Sequence, residues 1–167
     1  LASGVKKNNT LLTSPISFVS TANVSKFCGG KVKFADMNLE DVNISIEKIR
    51  KAFKKNKINA VIPVHFAGKA SNIKQIRKTV GDKTILIEDA AHAFGAKYDD
   101  GTMVGSCKYS NATVFSFHPV KSIACGEGGV VTTNDKKIYK NLMRLRSHGI
   151  NKLDDNFILK KQAFTKN

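Results

Sequence analysis

Ala112-Thr113-Val114-Phe115-Ser116-Phe117-His118-Pro119-Val120-Lys121 runs from an apolar strand into a turn, and Gly126-Glu127-Gly128-Gly129 follows closely. A buried strand that delivers one lysine onto a glycine-rich turn is the signature of an α/β sheet with its chemistry at strand ends. The segments on either side alternate in the same sense. Thr84 to Glu88 is an apolar strand that delivers Asp89, and Gly129 to Thr133 is a further strand. Asn134 or Asp135 then caps a helix carrying Ile138, Leu142 and Leu145.

The alternation extends back to the start of the chain. Leu11 to Thr13 reads as a short strand ending at Ser14-Pro15, and residues 18–28 as a helix of small residues. After Gly29-Gly30 comes a strand at 31–35. Asn43 or Ser45 caps the next helix, in which Ile46, Ile49 and Phe53 recur on one face. Ile58 to Val64 is an apolar strand, and Ala70, Ile73, Ile76 and Val80 mark a helix closed by Gly81. Residues 93–97 and 101–104 suggest a short meander around an Asp99-Asp100-Gly101 turn. Leu1 to Val5 reads as the tail of a helix with Gly4 as its cap, and the pattern dissolves in the polar residues 151–167.

Bulk properties narrow the class. The 167 residues are 41% hydrophobic and 25% charged, which fits one globular domain with a core. No apolar run approaches a membrane span, and the first residues are not a basic stretch followed by an apolar one, so the chain reads as cytoplasmic with no membrane partner. Cys28, Cys107 and Cys125 are widely spaced and suggest neither a disulfide framework nor a zinc site. A net charge of +15 raises the question of a polyanionic partner. The lysines are scattered among asparagines, however, without a zinc finger, an aromatic RNA-binding strand or an arginine-rich helix. No nucleic-acid partner is expected; solvated helix faces explain the charge.

Four residue types along this framework suit one cofactor. A lysine amine (Lys121), a carboxylate at a strand end (Asp89), an imidazole three residues on (His92) and a hydroxyl before the lysine turn (Ser116) are what a protein uses to hold and tune pyridoxal 5'-phosphate. Taken singly, each has a plainer role. Asp89 would serve as a cap or hydrogen-bond acceptor, and His92 as a packed histidine. Phe18, placed to stack on a ring, and Thr21 would otherwise be core residues. Ser14 lacks the surroundings of a serine nucleophile, and His65, His118 and Asp36 lack metal-ligand spacing, so no metal is expected. Arg144, Arg146 and His148 sit at the end of the last helix, with His148 a candidate for the substrate channel.

In order and spacing, residues 13–23, Asp89-Ala90-Ala91-His92-Ala93-Phe94-Gly95-Ala96, the Ser116 to Lys121 stretch and Gly126-Glu127-Gly128-Gly129 resemble the DegT/DnrJ/EryC1/StrS family of nucleotide-sugar aminotransferases. The resemblance, from about Leu11 to Gly149, implies the large domain of a fold-type-I transferase dependent on pyridoxal phosphate. Its central sheet would be mostly parallel and of seven-stranded type, with helices on both faces. It implies Lys121 as the Schiff-base lysine, Asp89 as partner of the pyridine nitrogen, and Phe18 as the stacking ring. Ser116 becomes a phosphate ligand, His92 faces the phenolic oxygen, and Thr21 and His148 are substrate contacts.

The wording around Phe18, Lys121 and Arg146-Ser147-His148-Gly149 looks most like enzymes that aminate C4 of UDP-linked 4-keto-6-deoxy-N-acetylhexosamines, using glutamate, for surface glycans. Relatives are homodimers with shared sites and are more than twice as long. The resemblance therefore implies an incomplete large domain at 1–150, lacking a phosphate loop, with a connection beginning at 151–167. Two other readings follow from it: a pyridoxal-phosphate-dependent sugar dehydratase, which in some relatives has histidine in place of the lysine, and a non-catalytic fragment that retains the fold.

Overall fold

The computed structural model describes residues 1–149. Six strands, β1 (Thr10–Thr13), β2 (Lys31–Phe34), β3 (Ala60–Ile62), β4 (Ile85–Asp89), β5 (Ala112–Ser116) and β6 (Gly129–Thr132), form one sheet in the order β2-β1-β3-β4-β5-β6. All neighbours are parallel except β5 and β6. The sheet is thus mostly parallel as expected, with six rather than seven strands among the described residues. The sequence pattern itself marks these six; the seventh came from the resemblance. Residues 93–104 form no sheet strand and contribute only an antiparallel bridge between Lys97 and Met103. Gly4 closes a turn onto Leu1 rather than a helix.

Both faces of the sheet carry helices. Helices α2 (Ile46–Lys55) and α3 (Ile73–Val80) seal one face, where Leu12, Val61 and Leu86 from adjacent strands meet Ile49, Ile73, Ile76 and Val80. Ser45 caps α2 by accepting from the Lys48 amide, and Asn72 caps α3 by accepting from Gln75. Gly81 ends α3 at φ +73°, a conformation that disfavours residues with a Cβ. On the opposite face lie Leu11, Ala60, Ile62, Ile85 and Ile87, packed with Val5. Val24 and Ser25 of α1 (Val19–Phe27) border the same patch. Helix α4 (Lys136–Arg146), capped by Asp135, buries Ile138 and bonds through Asn141 to the Ala2 carbonyl. Strand residues with alternating directions therefore feed two separate apolar layers.

The order of strands creates the place for a site. From β1 the chain moves outward to β2, then returns to β3 on the other side of β1, so connections diverge between β1 and β3. At such a switch point the carboxyl ends of the strands open a crevice. Residues 14–18, 63–66, 89–92 and 116–121 all emerge at that edge, and antiparallel β6 begins there at Gly129. Gly129 pairs with Ser116 across the β5–β6 ladder. A Cβ at Gly129 would meet the Phe115 carbonyl oxygen at 2.6 Å, so only glycine lets the strands approach here. Gly129→Ala is expected to cost about 1–3 kcal/mol in unfolding free energy through this overlap. Chemical denaturation checks it, and an unchanged midpoint would refute the close-approach reading.

Candidate active site

Strand β4 carries two acidic side chains pointing to opposite faces of the sheet. Glu88 shares its side with Leu86 and is wholly buried, as is His65 just after β3. His65 Nε2 lies 2.8 Å from Glu88 Oε2, which also accepts from the Tyr98 hydroxyl. Glu88 Oε1 accepts from Ser110 and, at 3.0 Å, from the Thr113 hydroxyl. The Ser71 amide donates to His65 Nδ1 at 2.8 Å. That bond leaves the proton of a neutral imidazole on Nε2, aimed at Glu88. Burial acts to raise the Glu88 carboxyl, but the bonds from His65, Ser110 and Tyr98 outweigh it and hold it below the usual carboxylate range. Burial and the neighbouring Glu88 charge push the Tyr98 phenol up, which keeps it a donor.

Asp89, on the other face, is half-buried and anchored at both oxygens. Oδ2 accepts from the Thr21 hydroxyl at 2.8 Å, and Oδ1 from the Ala91 amide at 3.2 Å. The Asp89 carbonyl takes the His65 amide at 3.0 Å, which joins the two acidic environments through the backbone. Three residues on, exposed His92 places Nε2 2.8 Å from Lys121 Nζ. The lysine is held by a turn in which its amide donates to the His118 carbonyl. Below it Phe94 packs edge-on against Phe115 and Phe117, at centroid distances of 5.4 and 5.8 Å. This aromatic cluster seats the Ala90–Ala96 turn on the end of β5.

Other candidates distribute unevenly around this centre. Ser116 ends β5, and its oxygen accepts from the His118 amide at 3.3 Å, while its own proton has no acceptor among the described residues. Phe18 stands at the N-cap of α1, 73% exposed, one turn from Thr21. His148 follows α4 at φ +59°, exposed, and among the described residues no hydrogen bond ties it to Asp89 or Lys121. The proposed connection at 151–167 lies outside the described residues. The Glu88–His65–Tyr98–Ser110–Thr113 group was not singled out in the sequence. Its one visible signal is an acidic residue at an inward position of the otherwise apolar alternation Leu86, Glu88.

The donor set suits pyridoxal phosphate. It offers an amine able to condense with an aldehyde, a carboxylate with a lone pair left on each oxygen, and a hydroxyl with a free proton. All three come from the same sheet edge. Together, the mostly parallel sheet, covered by helices on both faces, and this edge define an α/β fold whose candidate site lies at the strand ends.

The sequence pattern of the DegT/DnrJ/EryC1/StrS aminotransferase family matches residues 1–166, and the chain belongs to that family. It is 40% identical, over 147 residues, to the UDP-4-amino-4,6-dideoxy-N-acetyl-beta-L-altrosamine transaminase of Campylobacter jejuni, covering 86% of this chain and 38% of that protein. Among solved structures it resembles Helicobacter pylori PseC, an aminotransferase of pseudoaminic acid biosynthesis. The TM-score is 0.79 at 34% identity, over 90% of this chain and 40% of the other. A GDP-4-keto-6-deoxymannose-3-dehydratase gives a TM-score of 0.78 at 30% identity, over 86% and 36%. The chain thus spans about two fifths of the curated relative's length. Among the described residues no helix is long and apolar enough to cross a membrane.

Replacing Glu88 with leucine strands the His65, Tyr98, Ser110 and Thr113 donors, and is expected to cost about 2–4 kcal/mol. Because folding lowers the Glu88 carboxyl, its stabilisation is complete above the unfolded value of about 4.3 and fades as pH falls through the folded one. The stability gap between the wild-type chain and Glu88→Gln should therefore narrow on acidification below about pH 4. Denaturation midpoints against pH read this directly; a gap that stays constant would show that Glu88 is not held as the anion.

Proposed function

We propose that the complete protein is a pyridoxal-phosphate-dependent aminotransferase. It moves an amino group from glutamate to a 4-keto-6-deoxy sugar carried on a nucleotide, a UDP-N-acetylhexosamine, for surface polysaccharide or glycan synthesis. The observation that carries this reading is the Lys121 amine seated against the turn that Asp89 opens, with Nζ 2.8 Å from His92 Nε2. The sugar assignment is supported by the likeness to the Campylobacter jejuni transaminase. A homodimer with shared sites belongs to the same proposal, as the family resemblance implies.

Pyridoxal phosphate, when bound, supplies an aldehyde carbon that condenses with amines and a ring that withdraws electrons. Lys121 is the residue that would hold it, and its Nζ, when free, would accept and return a proton. Its bond to His92 orients the amine over the carboxyl edge of the sheet. Asp89, anchored by Thr21, would pair with the ring nitrogen, and Ser116, whose own proton has no acceptor among the described residues, would donate it to the phosphate. Phe18, exposed at the N-cap of α1, would cover one face of the ring. Thr21 and His148 were expected as substrate contacts. Of these, His148 remains a candidate for the sugar side, and Thr21 takes a different role below.

The likeness to a sugar 3-dehydratase supports one competing reading. Lys121 weighs against it, because a lysine can both hold the cofactor and shuttle the proton that transamination needs. The complete protein should show the visible absorption band of lysine-bound pyridoxal, and Lys121→Ala should lose it. Glutamate should bleach the band, and a 4-keto nucleotide sugar should restore it with formation of an amino sugar. A band that survives Lys121→Ala sinks the assignment of the lysine; a deoxygenated product without amination moves the protein to the dehydratases.

A further inference from the structure

Thr21 lies in the first turn of α1, 7% exposed. A threonine hydroxyl deeper in a helix commonly bonds the carbonyl one turn earlier, a partner that a first-turn residue lacks within its helix. This one instead donates across the sheet edge to Asp89 Oδ2 at 2.8 Å, a partner 68 residues away in sequence. The Ala91 amide holds Oδ1, so the carboxylate is pinned from two directions, by its own turn and by α1. A side chain with two free torsions would otherwise sweep its carboxylate across the crevice. The hydroxyl is a single-proton donor, and that proton is committed.

We propose that Thr21 is a positioning residue for Asp89, not a contact for the sugar. Resting on the cofactor reading above, this assigns Thr21 the task of setting which lone pairs of Asp89 face the pyridine nitrogen. Helix α1 thereby links two functions. Phe18 at its N-cap would cover the ring, and Thr21 one turn later orients the Asp89 carboxylate, so a single helix would set both. The link also explains why a threonine is buried at the mouth of the site: its methyl packs while its hydroxyl meets a carboxylate that would otherwise stay poorly partnered.

A double-mutant cycle on the complete protein tests this, read by equilibrium binding of pyridoxal phosphate and by the absorption band. Thr21→Val keeps the shape and removes the donor, and should weaken cofactor binding about tenfold or more, the loss typical of a hydrogen bond to a charged group. Thr21→Ser should restore affinity to within about twofold, which separates the hydroxyl from packing. In an Asp89→Asn background, Thr21→Val should change affinity less than about twofold. The KM for the nucleotide sugar, at saturating cofactor, should stay as in the wild type. An equal loss in both backgrounds, no loss in either, or a raised sugar KM with cofactor affinity intact overturns the role of Thr21 while leaving the function standing. A wild-type protein that takes up no pyridoxal phosphate overturns the function and this assignment together.

Discussion

The buried Glu88 carboxylate is the constraint around which the molecule is organised. An ionised group with no solvent contact is tolerated only when its lone pairs are filled. Here four donors come from three separate places: His65 after β3, Tyr98 and Ser110 from the segment between β4 and β5, and Thr113 inside β5. Satisfying one carboxylate therefore draws three consecutive strands and the long segment between them into a single arrangement. His65 is itself held by the Ser71 amide, which extends the network to the loop leading into α3.

That arrangement reaches the candidate site through the backbone rather than through charge contact. Residues 88 and 89 are neighbours on a strand and so point to opposite faces. One serves the interior and the other the crevice. The His65 amide bond to the Asp89 carbonyl fixes the strand end from the buried side, while Thr21 and Ala91 fix the carboxylate from the open side. On the neighbouring strand end, Phe94 packed edge-on against Phe115 and Phe117 holds the turn that carries His92 toward Lys121. Packed elements thus fix the backbone on either side of each candidate side chain.

Periodic features were legible from the residues alone. The helix faces at Ile49 and at Ile73, Ile76 and Val80, the caps Ser45 and Asp135, and the six strand segments all follow from local rules of spacing and capping. So was the placement of Asp89, Ser116 and Lys121 at strand ends, because an apolar run followed by a polar residue marks where a parallel strand leaves the sheet. The turn at Asp99-Asp100-Gly101 was legible too, and it carries an antiparallel bridge between Lys97 and Met103; what local rules did not show is that Phe94 and Tyr98 there serve the aromatic cluster and the bond to Glu88. Leu145 is likewise 45% exposed, although its spacing on α4 matches a buried stripe.

Sequence by itself determined the α/β alternation, the direction of each strand end and the residue types available for chemistry, because these depend on neighbours a few positions apart. Only the tertiary structure decided which of those residues meet. Thr21 and Asp89 stand 68 positions apart, His65 and Glu88 23, and His92 and Lys121 29. No local periodicity encodes such pairs. They arise because a parallel sheet gathers every strand's carboxyl end at one edge, and because burying a carboxylate on one face demands partners from wherever the packed chain supplies them.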